Sequence, residues 1–487
     1  MYHQTNNGAS AALVEAKPFS LLYFSIAVYG LLMLPRMLSH GMFLDGLTYA
    51  SISRNLAEGW GSFWKPYYTE SVYRTFFEHP PFGFLLQSFA FKTLGDAYYV
   101  EAFYGFVIGL LTLCLVAAIW MATRKNKAVA GVFWPVLLFV SFPMTSWISS
   151  NNMLESTMAV FVLLSVLLAI WSIRSTSTRR MLILGFSSGV AVFLAFLTKG
   201  PAGLFPLVTP FAWTLAFGDT TPKKALVSFL AIASGIAIST MLIVLPSKDA
   251  RVFFDVYFTN QVFTSLAGKR ETASSHFAIL KRLFFESLAP LSLCTILYGI
   301  RRARLNFAAN RKLFFFALVS ISGILPLVIS PKQMSWYLFP SLPLYSLTLA
   351  SLFENSARSI QTHVSKSKKL NMTFFGISSI MLIIALAWML MEKGAVRRDR
   401  DFHMDFTVQK YKLEERTTIS TYPPQLSTNW GLVANMQRQF KVSLTDTLGQ
   451  EYLISTVEYS DADALRNHYV KVHPPRPFSY VLYKKLR

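Results

Sequence analysis

The chain has 487 residues, of which 53% are hydrophobic and only 15% charged, with a mean hydropathy of +0.41. That balance excludes a soluble globular protein of this length and indicates a polytopic membrane protein. A formal net charge of +21 would suggest nucleic acid in a soluble protein. Here many of the lysines and arginines sit in short clusters between apolar runs, where topology and anionic lipid account for them and no nucleic-acid partner is expected.

In chain order, residues 1–18 are polar and form a cytoplasmic N-terminus without the features of a cleaved signal peptide. Phe19–Leu38 is then a first, retained helix that serves as a signal anchor. Further apolar runs follow at Tyr98–Thr123, Val129–Trp147, Ser156–Ile173, Met181–Thr198, Ala202–Phe217, Ala225–Leu245, Leu283–Ile300, Leu313–Ile329, Met334–Phe353 and Asn371–Met391. About eleven spans are expected, some shorter than the usual ~20 residues. Cys114 and Cys294 lie inside such runs and read as small core residues, not as a disulfide.

Basic clusters occupy alternate loops: Arg124, Lys125 and Lys127; Arg174, Arg179 and Arg180; Lys223 and Lys224; Arg301, Arg302, Arg304, Arg311 and Lys312; Arg358, Lys366, Lys368 and Lys369. The positive-inside rule assigns them to the cytoplasm. The other loops, and the tail after Met391, then lie outside the plasma (inner) membrane. The short apolar stretch Phe82–Leu94 follows Pro80 and Pro81; counting it as a span would reverse the later clusters, so an interfacial helix is expected. It belongs to a long outer loop, residues 39–97, rich in Trp, Tyr and Phe, which favour the headgroup region.

The domain organisation expected is therefore an all-α transmembrane domain over 19–391 followed by a small extracytoplasmic α/β domain over 392–487. In that tail charges become frequent, and GLVANM, EYLISTVEY and FSYVLYKKL are separated by Tyr-Pro-Pro and His-Pro-Pro breaks.

With this topology Asp45, Glu78, His79, Glu155, Lys199, His276 and Lys332 all fall on one face. Acidic groups beside hydrocarbon are costly and usually functional. Asp45 and Glu155 also suit the first turns of helices, where acidic side chains are favoured for capping and dipole reasons. The outer loop 246–282 carries Lys248, Arg251, Lys269, Arg270, Lys281 and Arg282 against the positive-inside trend, which points to an anionic ligand. Carboxylates, cations and an aromatic surface loop suit transfer from a lipid-borne phosphate. A carboxylate would act as base toward a hydroxyl, and cations or a metal ion would take up charge on the departing phosphate.

The order of these elements resembles the GT-C glycosyltransferases of the protein O-mannosyltransferase and lipid A aminoarabinose transferase type. The elements are an Asp in the first outer loop (Asp45), Glu78-His79-Pro80-Pro81 ahead of a short apolar helix, NNMLEST with Glu155, LTKGP with Lys199, and SPKQMSWYLFPSLP with Lys332. The resemblance implies inverting transfer from a polyprenyl-phosphate sugar to a glycolipid, a lipid A-like phosphate or a protein hydroxyl outside the cytoplasm. It further implies that Asp45 is the catalytic Asp, that Glu155 is the second acidic position, and that the donor phosphate meets the basic positions Lys199 and Lys332. Relatives carry Glu-Lys where this chain has Glu78-His79, the Lys on phosphate and the Glu on a metal. His79 is thus a phosphate candidate and Glu78 a candidate ligand of a divalent metal, with His276 the other. Lys269 and Arg270 complete the phosphate-binding candidates on charge grounds. Gly46 and Leu47 follow Asp45 where many relatives have Asp-Glu, so no second carboxylate adjoins it. The alternative function is transport or flipping of lipid-linked saccharides. Transporter sites, however, lie near the bilayer midplane, and this chain collects its polar groups on one face.

Overall fold

The computed structural model describes residues 19–124, 131–269, 272–273, 275, 277–301, 310–400, 413–459, 463–472 and 479–486. The N-terminal segment 1–18, the basic residues Lys125, Lys127, Arg302 and Arg304, and the site candidates Arg270 and His276 lie outside the described residues.

The first half of the chain builds α1 (Phe19–Met37), α2 (Leu44–Ala57), α3 (Phe82–Leu94), α4 (Val100–Ala122), α5 (Phe133–Ser141), α6 (Pro143–Ser150), α7 (Leu154–Arg174) and α8 (Thr178–Lys199). Among the described residues, seven helices are long and apolar enough to cross a membrane: α1, α4, α7, α8, Pro222–Ile243, Arg311–Ile329 and Lys368–Met391. The protein is a multi-pass membrane protein.

The expected count of about eleven spans needs qualification, because three of the four remaining runs are helical but not simple full-length spans. Val129–Trp147 is the bent pair α5 and α6, which meet at 72°. Pro143 forces the break, since it supplies no N–H and biases Phe142 toward extended backbone, observed at φ −65°, ψ 124°. Ala202–Phe217 divides into a 3-10 turn, Pro201–Val208, and a short helix, Thr209–Phe217, with Pro206 and Pro210 near the junction. Met334–Phe353 divides in the same way into Ser335–Ser341 and Leu342–Leu352 around Pro340. Ala278–Arg301 is a continuous helix of 24 residues. Phe82–Leu94 forms α3, whose 13 residues make about 20 Å of helix, short of the ~30 Å of a hydrocarbon core.

One end of the bundle is held by an ion cluster. Glu354 accepts from Arg124 at 2.9 Å, Lys312 at 2.7 Å and Arg358 at 3.1 Å. Arg174, at the end of α7, donates to backbone carbonyls of Ala122 and Arg124 at the end of α4. These are the clusters that the charge pattern assigns to a single side. The opposite ends of α7 and Arg311–Ile329 carry Glu155 and the loop with Lys332.

The C-terminal part folds as expected into a small α/β unit. Its five-stranded sheet runs in the order Ser443–Thr445, Thr418–Tyr422, Tyr452–Thr456, Tyr480–Lys485, Tyr469–Lys471. The first three strands are parallel and the last two pairings antiparallel. The segment GLVANM lies in the helix Trp430–Phe440, which crosses between two parallel strands. This unit shares its core with the loop over residues 39–97: Leu432, Val433, Met436 and Ile454 pack in one cluster with Tyr49, Ile52, Tyr68, Phe76 and Phe84. Buried charge bolts the contact. Arg438 makes a two-pronged pair with Glu101 at 2.9 Å each and meets Asp96 at 2.8 Å, while Arg54 of α2 donates to the carbonyls of Gln437 and Arg438.

Candidate active site

A cavity of about 610 Å³ opens where the starts of α2 and α7, the end of α8 and the loop after Ile329 converge. Asp45, Glu78, His79, Glu155, Lys199 and Lys332 all line it. Six of the nine sequence candidates thus share one chamber.

Asp45 sits in the first turn of α2, whose N-cap residue is Phe43 and whose start has no side-chain cap. Capping is therefore not what Asp45 does. Its carboxylate instead accepts from the Tyr49 hydroxyl at 3.4 Å, one helical turn on. Burial pushes the Asp45 carboxyl above the ordinary carboxylate range, partly offset by the charge of Lys199, with Glu78 adding to the rise and Tyr49 and Lys332 opposing it. A carboxylate moved in that direction is a better proton acceptor near neutral pH.

Glu155 likewise leaves its helix cap to Met153, and pairs with Lys199 at 2.6 Å, both side chains being buried. Apart from that ion pair, neither oxygen of Glu155 has a hydrogen-bond partner among the described residues. Lys199 occupies the last turn of α8, where a cation complements the helix dipole. Its ammonium lies 5.6 Å from the ring centre of Tyr49 and 6.0 Å from that of Tyr337. LTKGP is explained by the turn it makes: Gly200 has φ +90° and a Cβ there would sit 2.0 Å from the Tyr257 hydroxyl, so glycine ends α8 against Tyr257 and Pro201 starts the next turn.

Lys332 differs from Lys199. Among the described residues it forms no ion pair, although it lines the cavity with Asp45. Its loop is fixed by buried Gln333, which donates to the carbonyls of Val328 and Ser330 and accepts from the Ile279 N–H at 2.8 Å. Trp336, four residues on, stacks on Trp147 at 5.7 Å and 18° and touches Phe43, making one aromatic wall.

Glu78 accepts from Tyr73 at 3.0 Å and Gln261 at 3.2 Å. His79 packs edge-on to Tyr49 with ring centres 5.6 Å apart. Among the described residues no three His, Cys, Asp or Glu side chains come together as a metal-binding group. The other metal candidate, His276, lies outside the described residues. Lys269 is exposed and does not line the cavity. Earlier in the same loop, the helix Lys248–Tyr257 turns Phe253, Phe254 and Tyr257 inward and leaves Lys248 and Arg251 exposed. Among the described residues, Lys248, Arg251, Lys269, Lys281 and Arg282, the cations of the 246–282 loop, do not line the cavity. Missed at the sequence level were Tyr49, Gln261 and Trp430, which also line the cavity. Only Tyr49 carried a signal, its spacing of one turn from Asp45.

The same fold occurs in known structures. ArnT from Cupriavidus metallidurans bound to undecaprenyl phosphate superposes with a TM-score of 0.67, at 15% identity, over 96% of this chain and 97% of that one. The chain has an ArnT-like GT-C glycosyltransferase fold. The oligosaccharyltransferase of Archaeoglobus fulgidus is a more distant structural neighbour of this ArnT-like chain, with a TM-score of 0.51, 13% identity, and coverage of 91% and 70%. In sequence, the ArnT-like chain is 22% identical over 348 residues to the undecaprenyl phosphate-alpha-4-amino-4-deoxy-L-arabinose arabinosyl transferase 2 of Proteus mirabilis. That match takes in 70% of this chain but spans only 61% of the relative. No family model matches. These likenesses are to transferases, and nothing in them supports the transporter alternative.

Proposed function

We propose that this protein is an integral-membrane inverting glycosyltransferase that moves a sugar from a polyprenyl-phosphate carrier to an extracytoplasmic acceptor. The observation that carries the reading is the meeting in one chamber, beside an aromatic wall, of Asp45, the buried Glu155–Lys199 pair and Lys332, which has no ion pair among the described residues. The carrier is supported by the ArnT neighbour, whose structure holds undecaprenyl phosphate.

In the proposed transfer the Asp45 carboxylate takes the proton of the acceptor hydroxyl as its oxygen bonds to the anomeric carbon. The bond from that carbon to the phosphate oxygen breaks, and its electron pair leaves with the lipid phosphate. Lys332, with Lys199 behind it, takes up the charge that develops there. With an acceptor that is already an ionised phosphate, Asp45 orients the nucleophile and removes no proton. The acceptor class is a glycolipid, a lipid A-like phosphate or a protein hydroxyl.

The test is transfer by the purified, reconstituted chain from labelled undecaprenyl-phosphate sugars to members of each acceptor class. Turnover that vanishes in Asp45→Asn supports the reading; no transfer from any polyprenyl donor would overturn it. Sidedness is tested separately, in a background with Cys114 and Cys294 changed to Ala. A cysteine at Gln425 should react with an impermeant thiol reagent from outside, and one at Thr176 should not.

A further inference from the structure

The turn that precedes Glu155 does more than lead into its helix. Asn151 Oδ1 accepts from the Phe43 N–H at 2.7 Å, and its Nδ2 donates to the Trp147 carbonyl at 2.8 Å. Asn152 Nδ2 donates to the Gly46 carbonyl at 3.0 Å. The two residues therefore grip α2 on either side of Asp45, one at the free N–H ahead of the helix and one at the carbonyl just after the carboxylate. Asn152 also exchanges amide hydrogen bonds with Gln87 of α3, at 2.6 and 3.2 Å, and Gln87 accepts from Ser53 of α2 at 2.9 Å. All of these side chains are buried, so each bond replaces water that is not there and is costly to lose.

Two backbone features show that this grip is built in. Asn152 has φ +51°, a left-handed conformation that Asn tolerates far better than most residues. Gly46 lies so close to the turn that a Cβ would stand 2.1 Å from the Asn151 carbonyl oxygen. The close approach excludes any side chain at position 46 while the start of α2 is pressed against this turn. Asp45 and Glu155 hence sit on opposite sides of one short rigid joint.

We infer that Asn151 and Asn152 are positioning residues for the transfer: they hold the carboxylate of Asp45 in register with the Glu155–Lys199 pair. The inference rests on the proposed glycosyl transfer for its kinetic consequence, but its structural content is independent. General-base catalysis needs hydrogen-bond reach to the nucleophile, and small displacements of a catalytic group cost large factors in rate. Neither amide touches the phosphate candidates Lys332 or His79 in the hydrogen bonds described above, so donor affinity should be spared.

The experiment uses the full chain in detergent and in vesicles, with Asn152→Gly, Asn151→Ala and Asn151→Asp. Glycine keeps the left-handed turn while removing both amide grips, and Asp keeps the acceptor for the Phe43 N–H. Amide hydrogen exchange over residues 43–49 should speed on the order of tenfold in Asn152→Gly and Asn151→Ala, with residues 343–352 unchanged. In Asn151→Asp protection should return. With undecaprenyl-phosphate sugar as donor, kcat should fall on the order of tenfold to a hundredfold in Asn152→Gly and Asn151→Ala, while donor KM stays within about twofold. Unchanged exchange at 43–49, or a loss of kcat accompanied by faster exchange throughout the chain, would overturn the inference. If the wild-type chain transfers no sugar, the functional proposal fails while the exchange measurement still decides whether the joint exists.

Discussion

Two ends of the same helix bundle handle buried charge in opposite ways. At one end Glu354 serves Arg124, Lys312 and Arg358 at once, and every partner is within 3.1 Å. At the other, among the described residues, Asp45 has a tyrosine hydroxyl at 3.4 Å, Glu155 has a single lysine, and Lys332 has no carboxylate. The pKa directions diverge accordingly. Burial would raise Glu354, but Lys312 and Arg124 overcome it and hold the carboxyl below its ordinary value, whereas burial prevails at Asp45. A charge cluster that satisfies itself fixes helix ends; one left short of partners is ready for a ligand's charge.

The sharpest way to break this contrast is through stability. Lys199→Met leaves Glu155 buried without a counter-charge and should destabilise the protein by about 3–5 kcal/mol, as should Glu354→Gln at the other end by about 3 kcal/mol. Melting in detergent checks both. The two should part in activity: the folded fraction of Glu354→Gln transfers normally, and that of Lys199→Met does not. Equal loss of turnover in both would erase the distinction between the ends.

Asp45→Asn should leave melting nearly unchanged, since the amide keeps the shape, and lower kcat by about a hundredfold or more. Wild-type turnover in this variant would remove Asp45 from the chemistry. Lys332→Ala should weaken undecaprenyl phosphate binding on the order of tenfold, the scale of one charged hydrogen bond of about 1.5 kcal/mol, with Lys332→Arg retaining part of it. Equal affinity in all three proteins would make Lys332 a headgroup anchor only.

The smallest effect is in pH dependence. Because Asp45 must be ionised to take a proton and its carboxyl is raised above the usual ~3.9, transfer to a hydroxyl should fall as pH drops through that raised value. Tyr49→Phe removes a hydrogen bond that opposes the rise, so the acid limb of kcat/KM should move to higher pH; a shift downward would contradict the assignment. Stability responds with the opposite sign at the two ends. Ionising Asp45 weakens the fold as pH rises through its folded pKa. The contribution of Glu354 is present above about pH 4.3 and is lost as pH falls through its lowered folded value.

Much of this was legible in sequence because membrane proteins write their constraints in composition. Apolar runs marked the long helices of the bundle but not the polar helices Leu44–Ala57 and Glu354–Lys366, and Pro143, Pro206 and Pro340 mark where runs fold as two pieces. Asp45, Glu78, His79, Glu155, Lys199 and Lys332 could be named from sidedness, since a polar group at a helix end beside hydrocarbon is rare enough to stand out. Lys269 was misjudged because charge and side predict attraction to an anion but not which face of a loop points inward.

What only the tertiary structure decided is which groups compensate one another. That Lys199 is consumed by Glu155 while Lys332 is not, that Trp430 of the C-terminal unit closes a wall of the chamber, and that Asn151 and Asn152 grip α2 from 108 and 106 residues away all depend on contacts between distant segments. Hydropathy and charge act on each segment against its solvent, so the sequence alone determined a multi-pass architecture and one polar face. Pairing of buried charges and amides depends on distances of a few ångströms between segments, and those exist only once the helices have packed.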